Sequence, residues 1–124
     1  MGQETILFVD DEKYLAEVGK EMLEDYGYEV DTLTDPLAAL ALFEKDPNRY
    51  DLLISDYTMP GMTGDQLVAK IHDLRKDLPA ILCTGVRLAP EIEKIKGVSK
   101  ILLKPFNMDM LIQIVKDVLN EPGT

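Results

Sequence analysis

Four apolar runs in this chain each end in a polar or charged residue: two end in aspartate, one in threonine and one in lysine. Asp10 and Asp11 follow ILFV, Asp56 follows LLIS, Thr84 follows ILC and Lys104 follows ILL. If these runs are strands of one parallel sheet, their carboxyl ends lie at one edge, where open α/β sheets have their binding sites. Three carboxylates, a hydroxyl and an ammonium at that edge can hold a divalent cation and a phosphoryl group.

The three carboxylates predict a metal site. Asp10 and Asp11 are adjacent, so only a turn that begins at Asp10 brings both side chains to one site. A helix that starts at Glu12 supplies that turn. Carboxylates about 4 Å apart repel each other by several kcal/mol at an effective dielectric of about 20, and a bound cation removes this repulsion. All-oxygen ligands favour Mg²⁺ or Mn²⁺ over zinc. In the alternative interpretation, Asp10 and Asp11 only cap the first helix.

Asp56, Thr84 and Lys104 predict a site for the phosphoryl group. A carboxylate such as Asp56 can accept a phosphoryl group to form an acyl phosphate. The Thr84 hydroxyl can donate to one phosphoryl oxygen, and the Lys104 ammonium can neutralise another. The sequence leaves open whether the bond between Lys104 and Pro105 is cis or trans. Taken singly, Asp56 is also a common turn residue, and Lys104 is a common solvated one.

Short aliphatic runs alternate five times with stretches of helical period, which predicts a doubly wound parallel α/β sheet with five helices. The predicted strands are 5–9, 29–33, 51–55, 80–83 and 100–103. The third, fourth and fifth are continuously apolar, as expected of strands covered on both faces. The second alternates between apolar and polar residues, which is typical of an edge strand.

The helices are predicted from their end signals. The first covers about 12–25 and ends before Gly27, the second opens at Asp35 and Pro36, and the third covers roughly 64–75. A short fourth helix lies within 90–97, and Asn107 caps the fifth. The fifth helix has an apolar arc of roughly 200°, against ~100° for an ordinary surface helix. Part of that arc either meets a partner or packs on the short fourth helix.

Composition restricts the class of protein. A chain of 124 residues that is 46% hydrophobic fits one domain, 1–124, with a core of about 4–120. A net charge of -10 argues against direct binding to nucleic acid. The single cysteine, Cys83, lies in an apolar run and is interpreted as an inert core thiol. No apolar stretch approaches the ~20 residues needed to cross a bilayer, so we expect a cytoplasmic protein without a membrane partner.

The ordered set of these motifs resembles the receiver domain of two-component response regulators. The matching residues are Asp10-Asp11, Asp56 in DYTMPGMTG, Thr84-Gly85 and Lys104-Pro105-Phe106, spread over nearly the whole chain. The resemblance implies a flavodoxin-like, three-layer α/β/α fold with strand order 2-1-3-4-5. It also implies a phosphorelay protein that receives its phosphoryl group from a histidine kinase or a histidine phosphotransfer protein.

The resemblance also implies a role for each site residue. Asp56 would be the phosphoacceptor, and Thr84 and Lys104 would contact the phosphoryl group. The metal, Mg²⁺ or Mn²⁺, would be bound by Asp11, Asp56 and the backbone carbonyl of Thr58, with Asp10 acting through water. Such a domain is not an ordinary enzyme, because it catalyses only its own phosphoryl transfer and autodephosphorylation. Its fourth helix, fifth strand and fifth helix would face an output partner or a second copy.

One position departs from the family pattern. Receivers commonly carry Tyr or Phe three residues before the lysine, and this chain has Ile101 there. The aromatic half of the usual switch is therefore missing, while the residues for phosphorylation are all present. Ile101 leaves open a second function, a receiver-like interaction module that phosphorylation does not regulate.

Two other classes share parts of the pattern. A phosphatase of the haloacid dehalogenase type needs a second Asp two residues after its nucleophile, and this chain has Thr58 there. A flavodoxin-like electron carrier needs a phosphate loop rich in Ser, Thr and Gly after the first strand. Asp10, Asp11 and Glu12 would repel the flavin phosphate at that position.

Overall fold

The computed structural model describes residues 4–85 and 97–120, which contain one sheet of five parallel strands in the order β2-β1-β3-β4-β5. The strands are β1 (Thr5–Val9), β2 (Glu29–Leu33), β3 (Leu52–Asp56), β4 (Ala80–Thr84) and β5 (Val98–Leu103). The helices are α1 (Lys13–Asp25), α2 (Pro36–Lys45), α3 (Gly64–Leu74) and α4 (Met108–Asn120). The predicted fold class and strand order are confirmed.

The strand bounds differ slightly from the predicted ones. Asp56 is the last residue of β3 rather than the first residue after it, and β5 begins at Val98. The alternating strand β2 lies at an edge of the sheet, as predicted. The prediction that the fifth strand is covered on both faces was wrong, because β5 is the other edge strand and Leu102 alone of its six residues is buried. The short helix predicted within 90–97 lies almost entirely outside the described residues, so the described part of the chain has four helices.

Two apolar clusters sandwich the sheet, because alternate strand residues face opposite layers. The cluster under α1 and α4 contains Ile6, Phe8, Leu23, Val30, Leu52, Ile54, Ile81, Cys83, Leu102, Leu111, Ile112, Val115 and Val118. The cluster under α2 and α3 contains Leu7, Val9, Ala39, Phe43, Tyr50, Leu53, Met59, Met62, Leu67, Val68, Ile71, Leu78 and Ala80. No helix in the described ranges is both long and apolar enough to cross a membrane.

The predicted helix ends are present in the structure. Asp35 Oδ1 accepts a hydrogen bond from the Leu37 N–H at 3.1 Å, and Asn107 Oδ1 accepts one from the Met110 N–H at 2.8 Å. Such caps typically contribute about 1 kcal/mol each to stability. Gly27 follows α1 with a φ of 95°, a left-handed conformation in which a residue with a Cβ is strained.

The wide apolar arc of α4 packs mostly on the sheet. Four of its residues, Leu111, Ile112, Val115 and Val118, are buried, and three others, Met108, Ile114 and Leu119, are partly buried against the same cluster. Only Met110 of the arc is largely exposed, at 48%. The arc is therefore explained mainly by the core, and an interface on this helix stays a prediction.

Candidate phosphoacceptor and metal site

The register of the strands brings the polar strand-end residues to one edge. Val9 pairs with Ser55, so Asp10 lies level with Asp56 on the neighbouring strand. Thr84 pairs with Leu103, the residue before Lys104. Asp10, Asp56 and Lys104 continue the alternation of the strand residues that face α1 and α4.

The three carboxylates form a compact cluster. One carboxylate oxygen each from Asp10, Asp11 and Asp56 lies within 4.8 Å of the other two. Asp10 and Asp56 are buried, and Asp11 is exposed. Asp10 Oδ1 accepts a hydrogen bond from the Glu12 N–H at 2.9 Å, which forms the predicted turn. Asp10 thus fixes the turn before α1 and belongs to the cluster. It does not cap the helix, because the N-cap residue is Glu12 and α1 has no side-chain cap hydrogen bond.

Lys104 is bonded to the cluster instead of being solvated. Its Nζ lies 2.9 Å from Asp56 Oδ1 and 3.8 Å from Asp10 Oδ2. The backbone of Lys104 is also held in place, because the Lys104 N–H donates a hydrogen bond to the Thr84 carbonyl at 2.7 Å. The peptide bond between Lys104 and Pro105 is cis, which the sequence alone did not decide.

Burial and neighbouring charges have opposing effects on the pKa values of Asp10 and Lys104. Burial raises the pKa of Asp10, and the charges of Asp56 and Asp11 add to this, while the Glu12 N–H and Lys104 act against it. Burial acts to lower the pKa of Lys104, but its hydrogen bond to Asp56 and the two nearby carboxylates outweigh burial and raise it. Lys104 is therefore a cation at neutral pH, and it offsets only part of the negative charge.

The other two predicted residues occupy different surroundings. Thr84 ends β4 and is 2% exposed. Thr58 is exposed and lies two residues after Asp56, in the loop between β3 and α3. Cys83 is buried, and burial raises the pKa of its thiol to about 12, as expected of an inert core residue.

Gly64 supports the site, a role that we did not predict from the sequence. A Cβ at Gly64 would lie 2.1 Å from the Asp56 carbonyl oxygen, so α3 can begin here only because this residue has no side chain. The Gly64 N–H donates to the Tyr57 carbonyl at 2.8 Å, and the Tyr57 N–H donates to the Cys83 carbonyl at 2.7 Å. The single sign in the sequence is a glycine at the start of a predicted helix.

The donor set fits a hard divalent cation. Mg²⁺ binds oxygen at about 2.1 Å, so oxygens on one ion lie roughly 3 to 4 Å apart. The three carboxylate oxygens need only a small movement to reach that spacing. Asp10, Asp11 and Asp56 are the residues that would hold the ion. Lys104 neutralises only part of their negative charge, so it does not replace the ion.

The family model of the response regulator receiver domain matches residues 6–116. The chain therefore belongs to this family, whose members work in two-component signalling. Family membership and the acidic cluster together support phosphoacceptor signalling rather than a classical enzymatic activity.

Relatives and solved structures agree with this assignment. The C4-dicarboxylate transport transcriptional regulatory protein DctD of Pseudomonas aeruginosa is 34% identical over 121 residues, which are 94% of this chain and 25% of DctD. The chain thus spans a small part of the curated relatives that it matches. Chemotaxis protein CheY4 of Vibrio cholerae is 34% identical with a TM-score of 0.86, covering 94% of this chain and 99% of CheY4. Response regulator TrrA of Thermotoga maritima, solved in complex with Mg²⁺-BeF, is 34% identical with a TM-score of 0.84 and the same coverage.

Proposed function

We propose that this domain accepts a phosphoryl group from phosphohistidine onto Asp56, in a reaction that requires Mg²⁺ or Mn²⁺, and that phosphorylation switches partner binding. The observation that carries the proposal is the placement of the Asp56 carboxylate, 2.9 Å from Lys104 Nζ and within the cluster that includes Asp10 and Asp11. The proposed nucleophile, a cation and the proposed metal ligands thus lie together at one edge of the sheet.

The transfer follows from this geometry. An Asp56 carboxylate oxygen attacks phosphorus, the bond from phosphorus to the donor imidazole nitrogen breaks, and that nitrogen keeps the electron pair. Lys104 places its charge on one phosphoryl oxygen, and the Thr84 hydroxyl donates to another. The same site catalyses autodephosphorylation and no other reaction.

The metal completes the set. Asp11, Asp56 and the Thr58 carbonyl would hold Mg²⁺ directly, and Asp10 would act through water. When bound, the ion neutralises charge on the cluster and on the phosphoryl group. The related protein TrrA was solved in complex with Mg²⁺-BeF, which supports this assignment.

We also propose a phosphoryl donor, a cellular location and a partner surface for this domain. The donor is a histidine kinase or a histidine phosphotransfer protein, and residues 1–124 act as one receiver domain in the cytoplasm. The surface for an output partner or a second copy consists of three elements. They are the short helix predicted within 90–97, strand β5, and α4, which is the fifth helix of the sequence prediction. Because Ile101 replaces the aromatic residue, this surface responds to phosphorylation without a ring that turns inward.

Phosphorylation of the wild type and two variants tests the proposal. Wild type, Asp56→Asn and Asp73→Asn, an exposed Asp on α3, are incubated with acetyl phosphate and Mg²⁺ or with beryllofluoride and Mg²⁺. We expect wild type and Asp73→Asn to gain one phosphoryl mass with acetyl phosphate and to show shifted NMR spectra with beryllofluoride. We expect neither change in Asp56→Asn. If wild type behaves like Asp56→Asn, the chain is the unregulated interaction module.

A further inference from the structure

A groove on the α1 and α4 side of the sheet opens beside the phosphoacceptor site. Its volume is about 480 Å³, within the range of small-molecule pockets. The lining residues are Phe8, Asp10, Leu15, Gly19, Gly85, Lys104, Pro105, Phe106, Met108 and Leu111. Asp10 and Lys104 belong to both the groove and the site, so the two spaces are continuous.

The rest of the groove is apolar and shaped by side chains from three elements. Phe8 of β1 lies against Gly19 of α1, where a Cβ would come within 2.8 Å of the ring. Leu15 of α1 is 38% exposed, and Met108 of α4 is partly buried. Next to the site, a Cβ at Gly85 would meet nothing within 4 Å, so the space there is open.

We propose that this groove receives the apolar acyl group of a small acyl phosphate, so that the domain prefers donors with acyl groups of four or more carbons over acetyl phosphate. This inference rests on the proposed function, because it concerns the donor at the same Asp56. A methyl group is too small to fill the groove, whereas a butyryl or benzoyl group can contact Leu15 and Met108 while its phosphoryl group lies at the site.

The reaction is balanced without a further reagent. An Asp56 oxygen attacks phosphorus, the bond between phosphorus and the acyl oxygen breaks, and that oxygen keeps the electron pair and leaves as a carboxylate. Lys104 lines the groove, and its Nζ lies 2.9 Å from Asp56 Oδ1, so its charge stays on a phosphoryl oxygen next to the nucleophile during this step. Transfer of the apolar group from water into the groove favours binding of the donor. Each buried methylene should raise the rate of Asp56 phosphorylation at low donor concentration roughly two- to fourfold.

A donor series tests the inference. Rates of Asp56 phosphorylation at low concentration are measured with acetyl, butyryl and benzoyl phosphate, and with phosphoramidate, which has no acyl group. Wild type should react about tenfold faster with butyryl than with acetyl phosphate, as two buried methylenes predict. Leu15→Gln and Met108→Gln should reduce that ratio to about threefold or less, and the rate with phosphoramidate measures any general effect of each substitution on the site. Tyr14→Gln, whose residue is 73% exposed and outside the groove, should keep the wild-type ratio.

The possible failures are distinguishable. Equal rates with acetyl and butyryl phosphate in wild type overturn the inference and leave the proposed function intact. A wild-type ratio that both groove variants retain shows that the preference arises elsewhere, and it also overturns the inference. If no donor, phosphoramidate included, labels Asp56, the proposed function fails and the inference fails with it.

Discussion

Tyr50 shows how a single polar atom is accommodated beside the core. The residue is fully buried, and its hydroxyl donates to Asp31 Oδ2 at 2.7 Å on the edge strand β2. Arg49 donates to the same carboxylate at 3.0 Å. Burial acts to raise the pKa of Asp31, but these hydrogen bonds outweigh it and lower the pKa. Burial and then the bond to Asp31 raise the pKa of Tyr50 to about 12.

Tyr50→Phe should therefore destabilise the domain in a manner that depends on pH. The native state holds the Tyr50 proton more tightly than the unfolded state, whose pKa is about 10. The contribution is thus complete below pH of about 10 and is lost as the pH rises through the folded value of about 12. We expect a loss of about 2 kcal/mol at neutral pH, because the bond is to a charged acceptor.

Urea unfolding of wild type and Tyr50→Phe at a series of pH values checks this. The difference in free energy of unfolding should be constant up to pH of about 10 and should then decrease. Tyr14→Phe is the matched control, because Tyr14 is 73% exposed and its hydroxyl should contribute little. A difference that stays constant through alkaline pH would mean that the hydroxyl does not carry the effect.

The position of whole elements depends on a close approach between α3 and β3. A Cβ at Gly64 would lie 2.1 Å from the Asp56 carbonyl oxygen and 2.7 Å from a methyl of Leu82. Gly64→Ala must therefore push the start of α3 away from the end of β3. We expect a loss of about 3 kcal/mol in the free energy of unfolding, the upper part of the range for overpacking.

The same variant should slow phosphorylation, because Asp56 moves with the strand end. A misplacement of about 1 Å in a reacting group can cost about a hundredfold in rate. Stability and labelling rate are measured for Gly64→Ala, with Gly85→Ala as the stability control because a Cβ at Gly85 meets open space within 4 Å. Equal stability of the two variants would show that the α3 and β3 contact is not tight.

Elements were the part of this molecule most accessible from sequence. Apolar runs predict the strands because both faces of β1, β3 and β4 are buried, and the Asp35 and Asn107 caps predict helix starts because they act within three residues. The polar strand ends predicted the site because parallel strands share one edge. The role of Gly64 depends on its approach to Asp56 and Leu82, and Tyr50 bonds to Asp31; these partners lie in different segments, so local patterns do not encode the contacts.

The whole molecule carries a large negative charge, and part of that charge is concentrated at one edge of the sheet. The net charge is -10, and three carboxylates with one partly compensating lysine lie at one edge of the sheet. Screening by any salt should stabilise the fold by weakening repulsion between exposed charges. A cation bound by the cluster should stabilise it further, because it binds the native arrangement and not the unfolded chain.

Thermal and urea unfolding in MgCl₂ against NaCl of equal ionic strength separates the two effects. Wild type should gain about 1.4 kcal/mol more in Mg²⁺ at ten times its dissociation constant than in NaCl. Asp11→Asn should lose this Mg²⁺-specific increment yet keep the NaCl effect, because Asp11 is an exposed member of the cluster and its substitution removes one ligand without creating a cavity. Asp73→Asn makes the same charge change away from the cluster and should keep both effects. Equal Mg²⁺ increments in the two variants would show that the ion acts on the overall charge of the molecule, and the carboxylate cluster would then not be its binding site.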